Sequence, residues 1–119
     1  MVRIEEKKLT QEYLKENLNS LDLSKPIVLY FFGTEDPTTR LSWCPDCVKI
    51  DPLIRKLAKD LQIELIEVPV GDRNSWKDKQ NNFYRTQSYI PVTSVPTLVR
   101  IDLKVGDRSI DRNCVGFLF

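Results

Sequence analysis

A chain of 119 residues with a formal net charge of +1 is long enough to form one domain, residues 1–119, around a hydrophobic core. Basic and acidic residues are interleaved along the chain, so no basic stripe indicates a nucleic-acid partner. The sequence contains no histidine, which excludes Ser-His and Cys-His catalysis. With three cysteines and no histidine, the ligand count also argues against a metal site.

The compartment can be predicted from the N-terminal residues and the cysteine content. Residues 1–8 are mostly charged and do not form the apolar run of a signal peptide. No segment approaches the roughly 20 apolar residues of a membrane-spanning helix. The odd number of cysteines argues against the disulfide framework of a secreted protein. We therefore expect a cytoplasmic protein without a membrane partner.

The first predicted elements are a helix and a strand. Thr10 has the chemistry of a helix N-cap, and Leu9 and Leu14 occupy the positions of a hydrophobic staple. Residues 27–32 are all apolar or aromatic and are bounded by a proline and a glycine, which predicts a central strand covered on both faces. A polar loop, residues 33–42, follows.

The second helix and strand come next. A helix is predicted from Pro45 to Leu61, with a kink at Pro52 because proline cannot donate to the preceding turn. Its apolar residues recur at helical spacing on one face: Cys47, Ile50, Ile54, Leu57, Ala58 and Leu61. Residues 63–68 then predict a second buried strand.

The last part of the chain predicts a helix and a hairpin. Residues 71–85 are polar and are predicted to contain a helix, with three aromatic side chains as its anchors, Trp76, Phe83 and Tyr84. Residues 95–101 predict a strand that opens at a proline. A turn near residues 106–107 would return the chain as a last strand, residues 108–114. This order predicts an α/β fold with a mixed central sheet flanked by helices.

Cys44 and Cys47 form a C-x-x-C motif between a strand and a helix. Cys44 would lie at the helix N-terminus, where unpaired N–H groups and the helix dipole favour a thiolate. The thiolate is the attacking species in disulfide exchange, so Cys44 is the candidate nucleophile and Cys47, one turn later and facing inward, the candidate resolving thiol. Two cysteines that simply pack in the core remain the alternative.

The wider pattern resembles a thioredoxin: an apolar strand, Trp-Cys-x-x-Cys, Pro52 five residues after the second cysteine, and Val-Pro-Thr at residues 95–97. Within that superfamily the chain is similar to the 14-kDa thioredoxin-related proteins, the thioredoxin domain-containing protein 17 family. Three features carry this similarity: Trp-Cys-Pro-Asp-Cys at residues 43–47, the long loop at residues 33–42, and the motifs within residues 70–85.

The resemblance covers about residues 4–114 and implies a thioredoxin-like fold with a cis peptide bond before Pro96. That bond would place a backbone edge, at Val95 and Pro96, beside the reactive cysteine for a substrate chain to pair with. The resemblance further implies a cytoplasmic disulfide reductase that holds no cofactor beyond a redox-active Cys44–Cys47 disulfide. Its partners would be an NADPH-dependent thioredoxin reductase, disulfide substrates such as cystine or selected proteins, and a dynein light chain.

Four further residues are predicted to support the site. Trp43 would pack beside the cysteines, either as a shield or as plain packing. Pro45 and Asp46 occupy the first helical turn, where the charge of Asp46 suits the helix N-terminus but opposes a nearby thiolate. Tyr30 stands where ordinary thioredoxins bury a carboxylate, and a tyrosine pKa of about 10 makes it a poor base at neutral pH.

Two questions stay open at this stage. The base that takes the proton of Cys47 is either solvent or Asp46. Residues 115–119 are too short for the closing helix of a thioredoxin, so we expect that helix to be missing or shortened, and Cys114 to be a thiol without a catalytic role. The rival functions are a redox-sensing adaptor of thioredoxin fold without efficient turnover, and a truncated copy without activity.

Overall fold

The computed structural model describes residues 2–4, 10, 24–86, 92–103 and 110–118. The helix predicted around Leu9 and Leu14 and the turn predicted at residues 106–107 lie outside these ranges, apart from Thr10. None of the helices in the described ranges has the length and hydropathy needed to cross a bilayer.

Five strands form one mixed sheet in the order β1-β3-β2-β4-β5. In chain order the strands are β1 (Val2–Arg3), β2 (Ile27–Phe32), β3 (Glu64–Pro69), β4 (Thr97–Leu103) and β5 (Ile110–Leu118). The first three are parallel to one another, whereas β4 runs antiparallel to both β2 and β5. The predicted mixed sheet is confirmed.

Strand β2 lies at the centre of the sheet between β3 and β4, as predicted. Because successive side chains of a strand point to opposite faces, its residues enter two separate cores. Leu29 and Phe31 belong to one core cluster. Tyr30 and Phe32 belong to the other, which includes the buried residues of the following helix.

Helix α1 (Pro45–Asp60) runs without interruption through Pro52. Pro45 is favourable at the first helical position, because a backbone N–H at that position would have no partner within the helix. The buried residues of α1 are Cys47, Ile54 and Ala58. The predicted apolar face is only partly buried, since Leu57 is 44% and Leu61 63% exposed. These leucines line an open groove instead of facing the core.

The prediction that residues 71–85 contain a helix is confirmed, and the structure shows two short ones, α2 (Arg73–Lys77) and α3 (Phe83–Thr86). A turn separates them, in which the Asp78 carboxylate accepts hydrogen bonds from the backbone and side chain of Asn81. The expected aromatic anchors are confirmed. Trp76 and Tyr84 are buried, and Phe83 packs against the same core.

The predicted end of the last strand is wrong. Strand β5 does not stop at residue 114 but continues to Leu118, which pairs with Thr97 at the start of β4. Backbone groups of β4 would lack ladder partners along this stretch if β5 ended earlier, and pairing supplies them. Cys114 therefore lies within β5. The short strand β1 was not predicted, because two residues carry no periodicity.

Candidate redox site

Cys44 caps the N-terminus of α1. Its backbone is extended, with φ −89° and ψ 113°, and its Sγ accepts a hydrogen bond from the N–H of Cys47 at 3.3 Å. The Cys44 N–H in turn donates to the hydroxyl of Ser42 at 3.2 Å. The sulfur therefore lies at the N-terminus of the helix, the position that the sequence predicted for Cys44.

The segment before β4 approaches the same sulfur. The peptide bond between Val95 and Pro96 is cis, as expected, and Pro96 is fully buried. The Cys44 thiol donates to the carbonyl oxygen of Val95 at 3.7 Å. The Thr97 hydroxyl holds this turn by donating to the carbonyl oxygen of Ser94 at 2.6 Å. Val95 and Pro96 thus lie beside the N-terminal cysteine.

Cys47 is the more enclosed member of the pair. Both cysteines are free thiols, with Cys47 1% and Cys44 6% exposed. Burial raises the pKa of the Cys47 thiol to about 12, and its hydrogen bond and charge interaction with Cys44 act in the same direction. Cys47 therefore carries its proton at neutral pH, and any reaction in which it attacks must remove that proton.

Trp43 is fixed by a contact that sequence reasoning missed. Its indole Nε1 donates to the carbonyl oxygen of Gly71 at 2.9 Å. Gly71 adopts a positive φ of 106°, a conformation that suits glycine, and its N–H donates to the hydroxyl of Thr34. The Thr34 N–H also donates to the Gly71 carbonyl, at 3.1 Å. Trp43 therefore fixes the end of the loop that precedes Cys44.

The loop before the cysteines is closed on itself. Glu35 and Ser42 form an isolated antiparallel bridge. Between them, the Asp36 carboxylate accepts hydrogen bonds from the N–H groups of Thr39 and Thr38, and these bonds lower its pKa. The loop is thus held by its own hydrogen bonds at the entrance to α1.

Pro45 and Asp46 are both exposed in the first turn of α1. Tyr30, by contrast, is fully buried, and its hydroxyl donates to the carboxylate of Asp51 at 3.2 Å. Burial, and next the negative charge of Asp51, raise the Tyr30 pKa well above its usual value. Asp51 was not a predicted site residue, although it stands four residues after Cys47 and so on the same helical face.

The comparison with protein families decides the classification. The family model described as "Thioredoxin domain-containing protein 17-like, thioredoxin domain" matches residues 4–116. The chain belongs to this family. The resemblance inferred from the sequence motifs is thereby confirmed. Membership of this family supports a redox protein with a thioredoxin fold.

Curated relatives share much of this domain. The chain is 41% identical over 81 residues to the thioredoxin-like protein Clot of Arabidopsis thaliana, covering 66% of this chain and 60% of that protein. It is 35% identical over 100 residues to thioredoxin domain-containing protein 17 of Homo sapiens, covering 80% and 78%. It is 44% identical over 78 residues to thioredoxin domain-containing protein 17 of Danio rerio, covering 64% of this chain and 60% of that protein.

A solved structure supports the fold. The Trx4 domain of ERdj5 superposes with a TM-score of 0.53 and covers 96% of this chain and 80% of that one. At 11% identity this likeness concerns the fold alone. The predicted thioredoxin-like α/β fold is thereby confirmed.

Proposed function

We propose that this chain is a thiol–disulfide oxidoreductase that reduces disulfides with the Cys44 and Cys47 dithiol. The observation that carries the proposal is the position of the Cys44 sulfur. It accepts the Cys47 N–H at the start of α1 and touches the Val95 carbonyl before the cis proline. Membership of a thioredoxin-like family supports the same chemistry.

The proposed reaction has two exchange steps. The Cys44 thiolate attacks one sulfur of the substrate disulfide, forms a mixed disulfide and releases the other sulfur as a thiolate, which takes a proton from water. Cys47 then loses its proton and attacks the Cys44 sulfur. This step closes the Cys44–Cys47 disulfide and releases the second substrate thiol. Two electrons pass from the dithiol to the substrate, so a reductant must restore the dithiol.

We further propose an NADPH-dependent thioredoxin reductase as that reductant, cystine or selected protein disulfides as substrates, and the cytoplasm as the place of action. Asp46 supports a restricted substrate range, because an exposed carboxylate two residues after Cys44 places negative charge at the entrance. A dynein light chain stays a proposed partner.

The decisive assay follows NADPH consumption with thioredoxin reductase, cystine and catalytic amounts of this protein. Steady multiple turnover is expected for the native chain, and none for Cys44→Ser. Cys114→Ser is the matched control, since it removes a thiol outside the motif, and it should keep the full rate. A single stoichiometric burst would instead identify a redox-sensing adaptor. Full turnover by Cys44→Ser would contradict the proposed nucleophile.

A further inference from the structure

A carboxylate lies beside the resolving cysteine on the inner face of α1. Cys47, Asp51 and Arg55 follow one another at intervals of four residues and so share one helical face. Tyr30 on β2 packs in the same core cluster as Cys47. Tyr30, Cys47, Asp51 and Arg55 all line one cavity of about 240 Å³.

Both oxygens of the Asp51 carboxylate have defined partners. Oδ1 accepts the Tyr30 hydroxyl at 3.2 Å, and Oδ2 accepts the Nε–H of Arg55 at 2.8 Å. Arg55 also pairs with Glu67 on β3. The Asp51 side chain is 33% exposed, so it connects the buried tyrosine with solvent. This arrangement aims one carboxylate oxygen at a buried hydroxyl whose ring packs in the same core cluster as Cys47.

The two other candidate acceptors of the Cys47 proton, Asp46 and solvent, are less favourably placed than Asp51. Asp46 lies one residue before Cys47 but is exposed, and it does not line the cavity that holds the Cys47 side chain. Cys47 itself is 1% exposed, so solvent reaches it only through the cavity that it shares with Tyr30 and Asp51. The Tyr30 hydroxyl is already oriented by a carboxylate. Because Tyr30 and Cys47 line the same cavity, the Tyr30 hydroxyl is the candidate relay between Cys47 and Asp51.

We propose that Asp51, acting through the Tyr30 hydroxyl, receives the proton of Cys47 when Cys47 resolves the mixed disulfide. This assignment rests on the proposed oxidoreductase function. Asp51 touches neither sulfur and is in that sense a positioning residue. Tyr30 is the group that exchanges protons with Cys47.

The S–H bond of Cys47 breaks as its sulfur attacks the Cys44 sulfur, and the substrate thiolate leaves with the electron pair of the mixed disulfide. The proton passes to the Tyr30 oxygen while the Tyr30 hydroxyl proton passes to Asp51 Oδ1. Tyr30 stays neutral throughout, in keeping with its raised pKa. Asp51 ends as a neutral acid and returns its proton to solvent.

The cavity offers an exit for that proton. At about 240 Å³ it has room for several waters, each of which occupies about 30 Å³ in the liquid. Cys44 and the Ser42 hydroxyl interact with the Cys47 thiol, and Tyr30 shares its core cluster. Arg55 and Tyr30 donate to Asp51, and Glu35 and Arg40 also line the cavity. Glu67 and Arg3 lie behind them in the ion-pair network.

The test separates the two exchange steps. The reduced protein, in a Cys114→Ser background, is mixed rapidly with an aromatic disulfide whose thiol product is coloured. Attack by Cys44 releases the first thiol and resolution by Cys47 the second. With the relay intact, the rate of the second phase should change little across neutral pH. In Asp51→Asn we expect that rate to fall about tenfold or more at pH 7.

The pH profile distinguishes a relay from a structural role. Without Asp51, the second phase should rise nearly tenfold per pH unit, because hydroxide must then remove the Cys47 proton. Tyr30→Phe keeps the ring and should show the same slope, and it carries the test if Asp51→Asn does not fold. Asp51→Glu should restore a flatter profile. The first phase should stay unchanged in these three variants.

One matched control completes the design. Glu67→Gln removes a carboxylate that lies opposite Tyr30 in the β2–β3 register and pairs with Arg55, whereas the Tyr30 hydroxyl donates to Asp51. This variant should keep the flat second phase. A flat profile in Asp51→Asn, or an equal loss in Glu67→Gln, would overturn the relay alone. Absence of the first phase in the native pair would instead refute the proposed function, and the relay with it.

Discussion

The indole nitrogen of Trp43 donates a 2.9 Å hydrogen bond to the carbonyl oxygen of Gly71, which joins the residue before Cys44 to the loop after β3. The same indole lies against Gly33, where a Cβ atom would stand only 2.6 Å from the Trp43 Cε2 atom. The position of Cys44 therefore depends on two glycines that are distant in the sequence.

Gly33→Ala should destabilise the protein by roughly 1–3 kcal/mol, because the added methyl group overlaps the Trp43 ring in a packed region. Urea unfolding measures this cost. In the double variant Gly33→Ala/Trp43→Ala the overlap with the indole is removed and only the close approach to the Ser42 hydroxyl, 2.8 Å, remains, so the cost of the double variant should be less than the sum of the single costs. Strictly additive costs would show that Trp43 does not confine Gly33.

Stability at alkaline pH should report the environment of Cys47. Its folded pKa of about 12 lies above the ordinary value of 9.0. The contribution of the protonated Cys47 thiol to the free energy of unfolding is complete below about pH 9. It is lost as pH rises towards 12, because the thiol of the unfolded chain ionises at a lower pH than the thiol of the folded protein. Under reducing conditions, Cys47→Ser should lose less stability over this range. Tyr30 is present in both proteins, so its own titration cancels. Equal slopes would contradict a protonated Cys47.

The Arg3 and Glu35 ion pair should contribute a small part of the acid sensitivity. Burial alone would raise the Glu35 pKa, but its 2.7 Å hydrogen bond with Arg3 outweighs burial and the pKa is lowered. The pair therefore stabilises the fold above pH 4.5, and this contribution is lost as pH falls through the lowered pKa. Glu35→Gln should flatten the acid limb by a small amount, because both groups are partly exposed. Arg3→Met should flatten it at least as much, because Arg3 also pairs with Glu67. A smaller effect of Arg3→Met than of Glu35→Gln would argue against a shared pair.

The cap of α2 should be worth about 1 kcal/mol. The Asp72 carboxylate accepts the N–H of Ser75 at 2.7 Å and so begins the helix that carries the buried Trp76. Asp72→Ala should lower the urea midpoint by a corresponding amount. Asp72→Asn keeps an oxygen acceptor and should recover most of the loss. No difference between these two variants would mean that the cap does not hold α2.

Local patterns were sufficient for the centre of the fold. The apolar run of β2 and the helical spacing of α1 predicted both elements, since strand and helix periodicity can be read within one segment. The C-x-x-C motif placed Cys44 at a helix start for the same reason. The end of β5 was misplaced, because its extent is set by pairing with β4 and not by its own residues.

The sequence by itself determined the cysteine pair, the helix that begins at it, the proline beside it and the family. Only the tertiary structure decided which side chains lie around that pair and which contacts hold them. Tyr30 meets Asp51 across 21 residues, and Trp43 meets Gly71 across 28. Such contacts follow from how α1 packs on the sheet and from the register of β2 and β3, because these bring together side chains that no local periodicity relates.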